Sequence, residues 1–295
     1  MKEFQYVRPT SIDEACALKA LHGSSAQFIA GGTDLLLEWR SEAVTFDYCI
    51  DLTHISELRY VCVSQDDIAI GPLTTLAEIT EAEGGGPLLA CLSRAARCMC
   101  TPQVRSTATI GGNICHASPC ADMAVLLTCF DATATLRSVS GERSVSMGAF
   151  FAGVNETVLG VEELLTGITI PVPAARTEAA FGRATRVSTD LAQASAAVRI
   201  STEDDATVSA AQIVIGACAP VPVLSRAAGE LLVGTNLAHP DRATIETAAA
   251  RAEWETSPIS DVRCSDEYRR EVSEVLVRRA IDEAVGRLNV VPAAA

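Results

Sequence analysis

Apolar and polar residues recur along this chain with two periods, one near two and one near three to four, and the switches between them outline its elements. Ser11-Ile12-Asp13-Glu14 has the Ser-x-x-Glu spacing of a capping box, which opens a helix that Gly23 ends. Residues 27–30 form a short apolar strand that runs into Gly31-Gly32-Thr33-Asp34. Phe46, Tyr48, Ile50 and Leu52 alternate on one face of a second strand. Residues 68–71 read as a third, and Thr75-Leu76-Ala77-Glu78 repeats the capping-box spacing. Gly84-Gly85-Gly86 breaks the chain, and Pro87 suits the first position of a helix reaching about Cys100. A strand at 132–137 and a short helix at 161–165 complete this part.

Pro171-Val172-Pro173 followed by Ala174-Ala175-Arg176-Thr177 marks the best boundary. Beyond it, residues 192–200 and 207–217 read as two strands of a hairpin, joined by a polar turn at Glu203-Asp204-Asp205. Two or three helices close the chain, with Val272, Val275, Leu276 and Ile281 on the apolar face of the last. There is no internal repeat.

Composition narrows the class. Hydrophobic residues make up 48% and charged residues 20% of 295 residues, a globular balance with enough length for two domains. Lys and Arg total 23 against 37 Asp and Glu, a net charge of −14. So acidic a surface repels phosphate backbones and anionic lipid, which argues against nucleic-acid and membrane partners. The opening residues lack a signal-peptide pattern, and no apolar run approaches the roughly 20 residues of a membrane span. A cytoplasmic location is expected. The 11 cysteines then read as thiols in a reducing compartment.

Two glycine pairs stand out, Ala30-Gly31-Gly32-Thr33-Asp34 and Thr109-Ile110-Gly111-Gly112-Asn113, each after an apolar segment. Consecutive glycines admit positive φ and let a ligand approach closely. Successive exposed N–H groups would then make an anion site, with Thr or Asn side chains as further donors. Either pair could also be a simple tight turn. Neither matches Gly-x-Gly-x-x-Gly nor Gly-x-x-x-x-Gly-Lys, so a Rossmann site and a P-loop are both poorly supported.

These residues resemble one family in particular. Ile29 to Leu35, the run from Pro102-Gln103-Val104-Arg105 through Thr109-Ile110-Gly111-Gly112-Asn113-Ile114, then Ala117-Ser118-Pro119 and Asp122, are similar to the FAD subunit of the xanthine dehydrogenase and carbon monoxide dehydrogenase family of molybdenum hydroxylases. The resemblance extends to Ile215-Gly216-Ala217 and to the last helix. It implies an α+β fold: two α/β FAD-binding subdomains of the vanillyl-alcohol-oxidase-like kind, at about 1–55 and 56–173, then a C-terminal domain over 178–290 with a small antiparallel sheet and helices. It implies that Ile29, Ala30, Gly31, Gly32, Thr33, Asp34 and Leu35, with Thr109, Ile110, Gly111, Gly112 and Asn113, wrap the pyrophosphate and adjoining groups of FAD. Asp122 matches an acidic position that contacts the cofactor. Leu159 and Leu164 lie in a segment resembling the family's apolar contact to the flavin. Cys115 falls where the family sets a side chain against the isoalloxazine ring. One departure stands out: the family usually has Lys just after the aromatic that starts the C-terminal domain, whereas here the segment is Phe181-Gly182-Arg183. Arg183 takes that role or the contact is missing.

By the same resemblance the chain carries electrons and contributes no catalytic side chain of its own. [2Fe-2S] clusters belong to a small partner subunit, the molybdenum cofactor to a large one, and NAD+ or another acceptor receives the electrons. FAD is expected to be non-covalent, a link through Cys115 or His116 being the outside alternative. Cys98, Cys100, Cys115, Cys120 and Cys129 cluster in sequence, but their spacings match no iron–sulfur pattern, so no metal is expected in this chain. His22, His54 and His239 are isolated, and Trp39 and Trp254 read as packing residues. Two other readings compete. One is a stand-alone flavin oxidase or dehydrogenase, for which His116 is the only candidate base. The other is a flavin-binding module without turnover. Similarity to the xanthine dehydrogenase-like branch points to a purine or related N-heterocycle as the substrate of the complex.

Overall fold

The computed structural model describes residues 3–203, 207–236 and 241–289. The first layer holds β1 (Gln5–Val7), α1 (Ile12–His22), β2 (Ala26–Ile29), α2 (Leu35–Arg40) and β3 (Tyr48–Asp51). Its strands are parallel in the order β1-β3-β2. The central strand is buried on both sides, with Cys49 and Ile50 fully covered, as a parallel strand between neighbours and helices requires. Ser11 caps α1 by accepting from the Glu14 N–H. Gly23 ends it with φ 54°, a conformation that favours glycine.

The middle of the chain supplies β4 (Val61–Val63), β5 (Asp67–Ile70), α3 (Leu76–Glu81), α4 (Gly86–Cys98), α5 (Pro102–Arg105), α6 (Ile110–His116), α7 (Asp122–Cys129), β6 (Thr133–Ser138), β7 (Gly141–Ser146), α8 (Met147–Phe150), the hairpin β8 (Phe151–Gly153) and β9 (Glu156–Thr157), and β10 (Leu164–Pro171). These strands form an antiparallel sheet in the order β4-β5-β10-β6-β7. Thr75 and Glu78 form the full capping box of α3. Here one expectation fails: residues 161–165 are no helix, because Leu164 already begins β10. Val161, Leu164, Leu165 and Ile168 happen to sit at helical spacing. Yet Ile168 pairs with Ile70 on one side and Ala134 on the other, and the β-branched residues Ile168, Thr169 and Ile170 prefer that pleated, doubly covered place.

The last part comprises β11 (Arg176–Ala184), β12 (Ala194–Thr202), β13 (Val208–Gly216), β14 (Val223–Leu224), α9 (Arg226–Leu232), α10 (Arg242–Trp254) and α11 (Asp266–Leu288). Its antiparallel sheet runs β11-β12-β13-β14. The expected β12–β13 hairpin is present, while Asp204 and Asp205 of its turn, and His239, lie outside the described residues. Side chains alternate between two cores. Ala179, Ala197 and Val214 join the cluster of α4 and α7, whereas Ala180, Val198, Ile213 and Ile215 pack with α9, α10 and α11. On the first face Arg199 reaches Asp131 at 2.5 Å, and Gln212 donates to the same carboxylate at 3.0 Å. Trp254 corrects the sequence reading, being 74% exposed rather than packed. Trp39 does pack, edge-on to Phe4 with centroids 5.1 Å apart. Among the described residues no helix is long and apolar enough to cross a membrane.

Candidate cofactor site

The two glycine segments meet, and each glycine has a distinct reason for being there. Gly32 has φ +67° at the turn from β2 into α2. Gly31 is fixed by close approach: a Cβ there would stand 2.0 Å from the carbonyl oxygen of Thr107. The peptide that leads into the second segment therefore lies directly against the first. At Gly111 a Cβ would meet Pro72 at 2.5 Å. Thr109 caps α6, its Oγ1 accepting from the Gly112 N–H at 3.0 Å.

Hydrogen bonding divides the labour between the segments differently from the sequence expectation. The N–H groups of Ile110 and Gly111 donate to Thr74 O and Pro72 O at 3.0 and 2.9 Å, and that of Asn113 donates to Thr109 O at 3.0 Å. With Gly112 committed to its cap, the second segment is no anion nest; it is a side-chain-free wall. Open donors are found in the first segment, where the N–H groups of Gly32, Thr33 and Asp34 have no acceptor among the described residues. Asn113 adds an unsatisfied acceptor, since its Oδ1 is buried without a hydrogen-bond partner. A buried polar atom left so is costly unless something completes it.

Beside these segments lies a cavity of about 430 Å³, within the usual range for small-molecule sites. Ala30, Gly111, Gly112, Cys115, Leu159 and Leu164 line it. Burial pushes the Cys115 thiol up to about 12, so at neutral pH it presents an apolar S–H rather than a nucleophile. Phe28, Leu73 and Lys19 line the cavity as well. No motif marked them, although Phe28 lies one residue before the expected segment. Ile29 and Leu35 turn away into the small core of Phe46 and Cys49, and Ile110 is fully buried in the main core. Thr33 reaches only Asp34, at 3.4 Å, and Asp34 is exposed.

Asp122 and Arg183 come together away from that lining. Asp122 opens α7 and is 2% exposed; Arg183 on β11 sets its Nε 3.3 Å from Oδ2. Burial pushes the Asp122 carboxyl up to about 6, against the opposing pull of Arg183. Oδ1 of Asp122 keeps no hydrogen-bond partner. Arg183 also donates to Cys98 O at 2.6 Å and to Asp190 O. Burial raises the Cys100 thiol, with smaller influences from the charges of Arg183, Asp34 and Asp122.

The remaining candidates have other employment. His116 lies 2.9 Å from Glu38 Oε1 and 3.2 Å from Asn155 Nδ2 through one ring nitrogen, tying α2, α6 and the β8–β9 hairpin. His22 stacks on Tyr48 at 3.6 Å, and His54 sits 4.0 Å from Asp51. Cys120 and Cys129 are buried and Cys98 is exposed. Among the described residues no three His, Cys, Asp or Glu side chains are placed to hold a metal ion.

Comparison with known proteins places the chain in one family. The family described as FAD binding domain in molybdopterin dehydrogenase matches residues 2–173, and the CO dehydrogenase flavoprotein C-terminal domain matches residues 179–284. The chain is 33% identical to the carbon monoxide dehydrogenase medium chain of Afipia carboxidovorans, over 96% of this chain and 97% of that one. It is 29% identical to the caffeine dehydrogenase subunit beta of a Pseudomonas species, over 97% and 96%. The reconstituted CO dehydrogenase from Oligotropha carboxidovorans superposes with a TM-score of 0.92 at 32% identity, covering 97% of this chain and 99% of that one. The chain belongs to this family, and is the FAD-binding oxidoreductase subunit of a molybdenum hydroxylase.

Proposed function

We propose that this chain holds FAD non-covalently between its two glycine segments and relays electrons from the [2Fe-2S] clusters of a small partner subunit to NAD+ or another acceptor. A large partner would carry the molybdenum cofactor and oxidise the organic substrate, in a cytoplasmic complex. FAD supplies the redox chemistry, and the protein supplies position and electrostatics. The observation that carries this reading is the cavity walled by Ala30, Gly111 and Gly112, with the open N–H donors of Gly32 to Asp34 following Ala30 in the chain and the orphaned Asn113 Oδ1 following Gly112.

In this reading Gly32, Thr33 and Asp34 give their N–H groups to the diphosphate, and Gly31 lets the second segment approach. Gly111 and Gly112 allow close contact, while Cys115, Leu159 and Leu164 offer apolar surface. Ile29, Leu35, Thr109 and Ile110 position the segments from behind. Arg183 stands in for the family's lysine, here as half of an ion pair with Asp122. The chain divides into a FAD-binding part at 1–173, with subdomains at about 1–55 and 56–173, and a C-terminal part at 178–290. His116, the candidate base of a stand-alone oxidase, is held through Nε2 by Glu38 and Asn155, in the tie between α2, α6 and the β8–β9 hairpin. Relatives named for carbon monoxide and caffeine match at similar identity, so the substrate class stays with the partner subunit.

The test is an absorbance spectrum of the isolated chain followed by anaerobic titration with NADH. A flavin spectrum that bleaches supports FAD linked to NAD+. A flavin that stays oxidised assigns another acceptor. A chain that takes up no FAD even when it is supplied in excess would overturn the reading.

A further inference from the structure

One charged side chain of the cavity belongs to none of the motifs. Lys19 lies in the last turn of α1, yet it is only 6% exposed and lines the cavity. Its Nζ donates to Gly23 O at 3.1 Å and to Ala26 O, and stands 5.6 Å from the centre of the Phe28 ring. Among the described residues no carboxylate pairs with it. The cavity's one acidic lining residue, Glu163, is already engaged by Arg143 at 2.6 Å and by the Gly160 N–H. Burying a cation beside neutral carbonyls alone is unfavourable, and desolvation accordingly lowers the ammonium's pKa. A ligand bringing negative charge would relieve that cost.

We propose that Lys19 is a cofactor-binding residue of this chain, its ammonium taking a phosphate oxygen of the bound dinucleotide. The two backbone carbonyls fix the ammonium's position, and the third N–H is left for the ligand. Among the described lining residues Lys19 is the only cation, so it sets the electrostatic part of affinity inside the cavity.

The inference rests on the FAD reading, and the experiment separates the two. Flavin-free full-length chain is titrated with FAD, ADP and adenosine, comparing wild type with Lys19→Met and Lys19→Arg. Failure of the wild type to bind FAD sinks the FAD reading. Where the wild type binds, Lys19→Met is expected to weaken FAD and ADP roughly ten- to a hundredfold, as loss of a charge-assisted hydrogen bond does. Adenosine should be unaffected, and Lys19→Arg should recover most of the loss. Equal affinities for wild type and Lys19→Met, or an equal loss for ADP and adenosine, would overturn the proposal. Should Lys19→Met not fold, Lys19→Gln, which keeps a donor but not the charge, takes its place: ADP should weaken and adenosine should not, and an unchanged ADP affinity refutes the phosphate contact.

Discussion

At the scale of single residues, the site depends on atoms that are missing. Gly31→Ala would push a methyl to 2.0 Å from Thr107 O, a backbone atom that cannot rotate away. The two segments must then separate. We expect this variant to be purified with little flavin and to be destabilised by about 1–3 kcal/mol or more, measured as flavin-to-protein absorbance ratio and thermal midpoint. Asp122 gives a pH signature. Its folded-state pKa lies near 6 against an ordinary 3.8, so between those values the native carboxyl keeps a proton that the unfolded chain has released. Stability from this group is therefore greatest below about pH 4 and falls as pH rises to about 6. Unfolding free energies of wild type minus Asp122→Asn should decline by on the order of 2–3 kcal/mol across that window; a difference that is flat or rises with pH would contradict the assignment. The glycine pairs themselves were legible in the sequence, because few other uses demand two adjacent residues without side chains. Lys19 was not legible. Its burial is created by the turn at Gly23 that brings Ala26 O over its ammonium, and nothing in a helical repeat announces that.

At the scale of elements, caps and turns were the readable features. Ser11, Thr75 and Gly23 all stand where local chemistry put them, since each satisfies backbone groups of its own helix end. The fate of the second segment's N–H groups was not readable, because their acceptors, Pro72 O and Thr74 O, come from a loop more than thirty residues earlier. Residues 161–165 misled for a related reason: a strand covered on both faces loses the period of two and can imitate a helix. The cap of α6 allows a direct check. Thr109→Ala removes the acceptor for the Gly112 N–H and should cost about 1 kcal/mol. That corresponds to a melting temperature lower by roughly 2–4 °C in a chain of this size. FAD affinity should fall severalfold in the same titration, as Gly112 loosens from the cavity wall. Unchanged melting and binding would mean the cap does not hold the wall.

At the scale of the whole molecule, a single alanine-rich sheet joins the two halves of the chain. Alternation along β11, β12 and most of β13 sends one set of side chains to α4 and α7 and the other to α9, α10 and α11. The sequence showed the strands and their hairpin, but apolar residues on both faces could not say which neighbour each face would meet. Polar pegs fix the register of that contact: Arg199 and Gln212 on Asp131, Arg183 on Asp122, and Arg94 and Arg287 both on Ala179 O. The doubly covered sheet makes the two halves obligate companions. A gene divided at the Pro171–Pro173 stretch would encode one product with naked helices and another with a naked sheet face, each sticky until it finds its counterpart. Any separation of this chain into two polypeptides, by design or by descent, would therefore need both made in the same place at the same time.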